Sequence, residues 1–172
     1  GVSVDYLIGR TKDVVDFLNA YTAIKALGED DPIEVPVFRS LNLIEIIEEA
    51  SGEGPDLIHD NEVLAADFVN RFHLGGKFLG YVANDESMLS FGIRPGSKII
   101  FATDLEVRDG DIIVAQAGER TLVRKVRFVG DDWIVLVPGH PSFQEEVMPR
   151  ERARIIGRVI RIVTDFVGDK NR

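Results

Sequence analysis

The chain has 172 residues, 45% of them hydrophobic, and is therefore long and apolar enough to bury the core of one sizeable domain. Its formal net charge of −9 argues against a basic surface of its own that grips nucleic acid. The absence of cysteine excludes disulfides and thiolate chemistry. No apolar run approaches the roughly 20 residues that span a bilayer, and no signal-peptide pattern opens the chain, so we expect a cytoplasmic protein.

The first part of the chain is predicted to be helical. Residues 1–9 (GVSVDYLIG) fit a short helix that Ser3 caps and Gly9 ends. Hydrophobic side chains then recur at helical spacing over 11–27, and the sequence GEDDP at 28–32 breaks the pattern. We predict a helical linker over 11–32. It can pack against its own domain or a second copy, or bind a partner.

Two further elements are predicted before the β-rich part of the chain. Residues 33–38 (IEVPVF) have the pattern of a short strand, and residues 41–50 that of an amphipathic helix with an acidic side. The sequence SGEGP at 51–55 ends this helix.

Metal binding has little support in the sequence. The acidic residues of this region do not have the spacing of a calcium loop, and a solvated acidic face explains them. The histidines are far apart and have no cysteine partners; they are His59, His73 and His140. We therefore expect neither a metal nor a cofactor.

Beyond residue 77 the pattern is that of a mostly antiparallel sheet. Apolar runs alternate with turn signals such as Pro95-Gly96 and Asp109-Gly110. Strands are predicted at 78–82, 98–102, 111–116, 121–128, 133–137 and 155–164. Because it lies in an apolar strand, Trp133 is predicted to belong to the core.

The ordered set of motifs in this region resembles the C-terminal domain of LexA-type repressors, lambda-type phage repressors and UmuD-like proteins. The motifs are 85–88 (DESM), 92–97 (GIRPGS), 109–114 (DGDIIV), 138–143 (PGHPSF) and 156–160 (IGRVI). The resemblance implies a mainly β, LexA-like domain over 33–168 after the helical linker. It also implies the fold of a serine-lysine peptidase that cuts its own chain.

A second resemblance concerns the start of the chain. Residues 1–9 are similar to the last helix of the helix-turn-helix domain in Xre-type repressors. This implies that 1–10 is the remnant of a DNA-binding domain that is mostly absent from this chain. A chance capped helix is the alternative.

In the resembled family a lysine base follows the nucleophilic serine by about 37 residues. Ser87 takes the nucleophile's place, but the position of the lysine is occupied by Arg124. Arginine stays protonated and cannot act as a base. Lys125 is the only candidate base, but neighbouring side chains of a strand point to opposite faces. Lys125 could reach Ser87 only if a β-bulge shifted the register.

The family's cleavage site, usually Ala-Gly or Cys-Gly, lies about 35 residues before the serine. Neither dipeptide precedes Ser87 in this chain, and the nearest candidate is Ser51-Gly52. Small residues would let an extended backbone enter a narrow cleft. A surface loop rich in glycine and proline explains the same residues.

Two functions follow from the resemblance. The first is the regulatory and dimerisation domain of an Xre-type, LexA-like transcriptional repressor that is defective in self-cleavage. It would form a homodimer, with the strand at 155–163 as the predicted contact, and would reach operator DNA through the helix-turn-helix domain. The alternative is an active autopeptidase with Ser87 as nucleophile and Lys125 as base, cutting near Ser51-Gly52. A β-rich domain unrelated to repressors would be favoured if Ser87 lay far from both Arg124 and Lys125.

Overall fold

A computed structural model describes residues 23–24, 30–42, 45, 52 and 56–166. In this part of the chain ten strands form one sheet, accompanied by the helix α1 (Ala66–Phe72). The strands are β1 (Ala23–Ile24), β2 (Ile33–Phe38), β3 (Ile58–Leu64), β4 (Lys77–Val82), β5 (Lys98–Ala102), β6 (Ile112–Ala117), β7 (Arg120–Val129), β8 (Trp133–Val137), β9 (Glu146–Pro149) and β10 (Arg154–Val163). Short 3-10 turns occur at Leu89–Phe91 and Arg150–Arg152.

The mainly β, mostly antiparallel fold predicted from the sequence is confirmed. All seven strands predicted from residue 33 onward are present, and their ends agree to within one residue. The pattern did not predict β3, α1 or β9. Strand β3 has the sequence IHDNEVL and is largely exposed, so it lacks the apolar alternation that marks a half-buried strand.

The strands follow the order β3-β2-β4-β5-β10-β6-β7-β8-β9, and β1 pairs with β4 outside this path. All pairs are antiparallel except the short parallel pair of β2 and β4. Strand β10 lies in the middle and pairs with both β5 and β6. Residues 154–158 of this predicted dimer strand pair with β6 and residues 158–163 pair with β5, so each edge is paired over only part of its length.

The buried side chains form three clusters along this bent sheet. The first lies beneath the turn that carries Ser87 and includes Phe38, Tyr81, Met88 and Val123. The second packs β2, β4 and β5 against α1. The third consists of side chains from β6, β7 and β8 together with Ala153. The first cluster gives the Ser87 turn a rigid apolar support.

The predictions for the first part of the chain are tested at few residues. Ala23 and Ile24 lie in β1, paired with Phe78 and Lys77, so the predicted linker helix is wrong at these two positions. The parallel pairing of β2 reaches β4 only at Gly80 and beyond, which leaves the start of β4 open to β1. A backbone segment that satisfies its polar groups on such an edge need not form a helix. The rest of the linker and the predicted remnant at 1–10 lie outside the described residues.

The predicted helix at 41–50 is described only at its start. Glu45 is helical, and its backbone N–H donates to the Asn42 side-chain oxygen at 3.2 Å. Asn42 thus has the contact of an N-cap, and the helical conformation begins after it rather than at Leu41. The other positions of this helix fall outside the described ranges.

Two observations concern exposed surfaces. Trp133 is 47% exposed, so its predicted place in the core is wrong; its neighbours Ile134 and Leu136 point inward instead. Among the described residues, no helix has the length and apolar character needed to cross a membrane.

Candidate functional site

Ser87 lies in a tight turn just after β4. Its backbone N–H donates to the Asp85 carboxylate at 2.9 Å, as in an Asx turn. Its carbonyl oxygen accepts the Gly139 N–H at 2.6 Å. Only 2% of the residue is exposed. The serine is therefore fixed both by its own turn and by the loop that follows β8.

Arg124, on β7, makes the direct contact with this serine. Its Nη1 donates to Ser87 Oγ at 2.7 Å and to the Val123 carbonyl oxygen at 2.8 Å. The arginine is 4% exposed, and its Nε–H has no hydrogen-bond partner in the described part of the chain. The structure thus brings together the two residues that the sequence places 37 positions apart.

The electrostatics of the site work against proton abstraction from Ser87. Burial lowers the pKa of Arg124, while the negative charges of Asp85 and Glu146 raise it. An arginine starts from a pKa above about 12 and spreads its charge over the whole guanidinium group. It serves here as a hydrogen-bond donor to the hydroxyl oxygen. A donor in this position cannot take the proton that a serine nucleophile must lose.

Lys125 lies on the opposite face of β7. The β6–β7 register is regular, with Arg124 opposite Ile113 and Lys125 opposite Ile112. Lys125 is exposed, and its Nζ lies 5.9 Å from the centre of the Phe91 ring. No β-bulge brings its amine to Ser87, so the structure does not place this predicted base at the predicted nucleophile.

The loop after β8 covers the pair of Ser87 and Arg124. Gly139 accepts the Ser90 N–H at 2.9 Å, and a Cβ at this position would lie 2.5 Å from atoms of both Ser90 and Phe91. Farther along, the Phe143 ring centre lies 5.7 Å from the guanidinium carbon of Arg124. The sequence analysis named 138–143 (PGHPSF) among the motifs of the resembled family. In the structure this segment holds the serine turn through the backbone of Gly139.

A groove of about 900 Å³ opens beside this pair. Four segments line it: the end of β2 and the residues after it, the turn before Ser87, the start of β7, and the loop between β8 and β9. The charged and aromatic side chains of this lining are Arg39, Glu45, Tyr81, Asp85, Glu119, Arg120, Arg124, Phe143 and Glu146. Such a volume suits a ligand larger than a single amino acid.

Tyr81 and Asp85 were not singled out by the sequence analysis. Burial, followed by the charges of Asp85 and Glu45, raises the pKa of Tyr81 to about 12. The spacing of Asp85 two residues before Ser87 is the spacing of an Asx turn, and this signal was present in the sequence. No local sequence pattern marked Tyr81 as a site residue, because it comes to line the groove only when the sheet is folded.

The predicted cleavage site is only partly described. Gly52 is exposed, has a φ of 77°, and has open space where a side chain would project. Ser51 lies outside the described residues. In the described ranges, no three His, Asp or Glu side chains are grouped so that they could hold a metal ion.

Comparisons with known proteins agree with this geometry. The sequence pattern of the Peptidase S24-like family matches residues 52–160, a range that includes Ser87, Arg124 and the loop after β8. This chain belongs to the Peptidase S24-like family.

The relatives are repressors. The LexA repressor of Oleidesulfovibrio alaskensis is 30% identical over 86 residues, which are 49% of this chain and 41% of that protein. The LexA repressor of Anaeromyxobacter sp. is 40% identical over 65 residues, or 37% of this chain and 28% of that protein. The LexA repressor of Cereibacter sphaeroides is 27% identical over 93 residues, or 53% and 40%. The chain thus spans less than half the length of these curated relatives.

Proposed function

We propose that this chain is the C-terminal regulatory and dimerisation domain of a LexA-like transcriptional repressor that has lost self-cleavage. The observation that carries the proposal is the buried contact of 2.7 Å between Arg124 Nη1 and Ser87 Oγ. The scaffold of a self-cleaving peptidase is kept, but a cation that holds its proton occupies the place of the base.

The difference between lysine and arginine decides this point. Burial disfavours the charged form of a lysine, and its pKa can fall far enough for the neutral amine to accept a proton near neutral pH. A guanidinium group would need its pKa lowered by about five units or more to do the same. This difference between lysine and arginine supports a domain that keeps the fold and the groove of the family but does not cleave its own chain.

The regulatory role follows from the family and its repressor relatives. A C-terminal domain that pairs two subunits lets two DNA-binding heads engage the half-sites of an operator together. Because the second head then binds at a high effective concentration, loss of pairing releases DNA without touching a base contact. In this proposal residues 1–10 are the end of an Xre-type helix-turn-helix domain, and the protein acts in the cytoplasm.

Family membership also favours a second candidate, an autopeptidase that uses Lys125 as base and cuts near Ser51-Gly52. It requires β7 to change register so that the Lys125 amine reaches Ser87. The regular pairing of β7 with both neighbouring strands supports the first candidate over this one.

Incubation at about pH 10 tests the proposal, because a lysine base with a pKa near 10.4 is substantially neutral there. Tyr81, whose pKa is raised to about 12, keeps its proton under these conditions. We expect denaturing gel electrophoresis and mass spectrometry to show an intact chain after long incubation. Two fragments from the natural sequence that are absent from the Ser87→Ala variant would establish self-cleavage and contradict the proposal.

A further inference from the structure

The backbone N–H of Ser87 is already bonded within its own turn. It donates to the Asp85 carboxylate at 2.9 Å. When a serine attacks a peptide carbonyl, negative charge develops on the carbonyl oxygen and must be met by hydrogen-bond donors. The N–H of the nucleophile itself is one such donor in serine peptidases. In this chain that donor is occupied by a carboxylate.

The contacts around the turn fix the direction of this N–H. The Ser87 carbonyl oxygen accepts the Gly139 N–H at 2.6 Å. The Met88 carbonyl oxygen accepts the N–H groups of Phe91 at 3.0 Å and Ile93 at 3.3 Å, and Met88 is 1% exposed. Because the backbone that follows the N–H is held in this way, a substrate oxygen would have to displace the carboxylate to reach it.

The charge of Asp85 also opposes the reaction. A carboxylate binds a backbone N–H more strongly than a neutral carbonyl oxygen does, so a peptide carbonyl competes poorly for this donor. An oxyanion formed there would lie beside a like charge, which repels it. Asp85 lines the groove and therefore stands where a substrate would approach Ser87.

Asp85 acts on position 124 as well. Burial lowers the pKa of Arg124, the charges of Asp85 and Glu146 raise it, and the charge of Arg120 lowers it. These charged groups come from the turn after β4, from β9 and from β7 itself. A lysine at position 124 would have the same neighbours, and the two carboxylates would favour its charged form.

We infer that Asp85 is a second block to self-cleavage, separate from Arg124, because its carboxylate occupies the Ser87 N–H that an oxyanion would need. The inference rests on the proposed function, since it concerns a scaffold that keeps the fold of a self-cleaving peptidase without the reaction. Arg124 opposes removal of the serine proton, and Asp85 opposes the charge that forms after attack.

The step that Asp85 blocks is the formation of the tetrahedral intermediate. Ser87 Oγ would bond to the carbonyl carbon of a peptide bond in the same chain, its proton would pass to a base, and one electron pair of the C=O bond would move onto the oxygen. Return of that pair would break the C–N bond, and the leaving nitrogen would take the proton from the base. Water would then hydrolyse the ester and release Ser87.

The test compares Arg124→Lys with the double variant that adds Asp85→Ala. Alanine removes the acceptor, so the Ser87 N–H becomes available to the developing oxyanion. Since one such donor contributes about a hundredfold or more to the rate, the double variant should cleave itself about a hundredfold faster than Arg124→Lys at the same pH. Denaturing gels and mass spectrometry of the purified chain over time measure both rates.

Glu86→Ala in the Arg124→Lys background is the matched control. It removes the same charge from the neighbouring exposed residue, whereas the acceptor of the Ser87 N–H belongs to Asp85. This control should leave the rate of Arg124→Lys nearly unchanged.

The pH profile of cleavage gives a readout that a purely structural role of Asp85 would not change. The rate of Arg124→Lys should rise with pH as the lysine loses its proton. Loss of the Asp85 charge disfavours the charged amine, so the profile of the double variant should move to lower pH.

NMR spectra of the natural chain report on the hydrogen bond itself. The Ser87 amide proton signal should move upfield in Asp85→Ala, because its bond to a carboxylate is lost, and much less in Glu86→Ala. Asp85→Ala should remain uncut, since Arg124 is still in place.

A double variant that is folded by circular dichroism but cleaves no faster than Arg124→Lys would overturn the inference. An equal gain from Glu86→Ala, an unmoved pH profile or an unmoved Ser87 amide signal would do the same. Fragments from the natural chain, or from Asp85→Ala with Arg124 retained, would instead count against the proposed function, because Arg124 would then not block the reaction.

Discussion

At position 124 the chemistry of the side chain matters more than its size or charge. Lysine and arginine both place a cation at the end of a long side chain, and both can hydrogen-bond to Ser87. Only lysine can become a neutral base when it is buried, because arginine delocalises its charge. In the proposed function, this one residue decides whether the serine can be activated.

The variant Arg124→Lys tests this at the residue scale. We expect it to gain slow self-cleavage at alkaline pH, since a buried amine beside Ser87 Oγ can accept the hydroxyl proton. Two fragments should appear on a denaturing gel. Arg124→Met is the matched control, because methionine has an unbranched side chain close in length to that of lysine but carries no amine. Cleavage by Arg124→Met, or by Arg124→Lys after Ser87→Ala is added, would show that another group is responsible.

At the scale of elements, β7 places two residues that are adjacent in sequence, Arg124 and Lys125, on opposite faces. Arg124 faces the buried serine, and Lys125 faces solvent on the other side of the sheet. Strand β6 pairs with residues 120–125 of this strand, and β8 pairs with residues 125–129. Alternation along the strand therefore separates the two cations, and among the described residues β8 does not extend beside residues 120–124.

A second element-scale feature is the attachment of β3 to the rest of the sheet. Lys98 on β5 is 12% exposed, and its Nζ contacts Asp60 at 2.6 Å and Glu62 at 3.3 Å, both on β3. The hydrogen bond with Lys98 lowers the pKa of Asp60, and the hydrogen bond with Asp60 raises the pKa of Lys98. These contacts hold an edge strand that has few buried apolar side chains of its own.

The pH dependence of unfolding tests this attachment. A lowered Asp60 pKa contributes stability that is present above the unfolded value of about 3.9 and is lost as the pH falls through the lower folded value. The raised Lys98 pKa contributes stability below about 10.4 that is lost at higher pH. Lys98→Met should therefore destabilise the protein in urea unfolding at about pH 7 and much less at about pH 2.

The exposed pair of Arg71 and Asp67, 3.5 Å apart, provides the control. Arg71→Met should cost no more than about 1 kcal/mol, because exposed ion pairs contribute little. An equal loss for Lys98→Met at both pH values would mean that the ion pairs of Lys98 with Asp60 and Glu62 do not stabilise β3.

For the whole molecule, the position of β10 limits how two copies can associate. It pairs with β6 over residues 154–158 and with β5 over residues 158–163, so each of its edges is paired over only part of its length. Residues 158–163 are half-exposed on its face, and this surface remains our candidate dimer contact. The formal charge of −9 fits a body that leaves DNA contacts to another domain.

Light scattering coupled to size exclusion tests the dimer. We expect a dimer at high micromolar concentration and a shift toward monomer in Ile160→Lys, which places a charge on the β10 face. Trp133→Lys alters an exposed side chain on β8 and should remain dimeric. A strict monomer at all concentrations, with circular dichroism showing a folded chain, would contradict the dimerisation part of the proposal.

The sequence alone determined most of the sheet and the candidate residues of the site. Alternating apolar residues are a local signal, so the seven strands could be predicted, and the family motifs singled out Ser87 with Arg124 and Lys125 as its candidate partners. It did not indicate β3 or β9, which are edge strands with weak alternation, or the exposure of Trp133. Nor did it indicate that the first strand replaces helix at Ala23 and Ile24.

Only the tertiary structure decided which cation meets the serine and what surrounds the pair. Arg124 and Lys125 are adjacent in the chain, and the register of β7 against β6 turns one toward Ser87 and the other toward solvent. The support from Gly139, and the lack of a partner for the Arg124 Nε–H among the described residues, likewise depend on how distant segments pack. Local patterns specify the strands, whereas the packing of strands against one another sets the protonation chemistry and the shape of the groove.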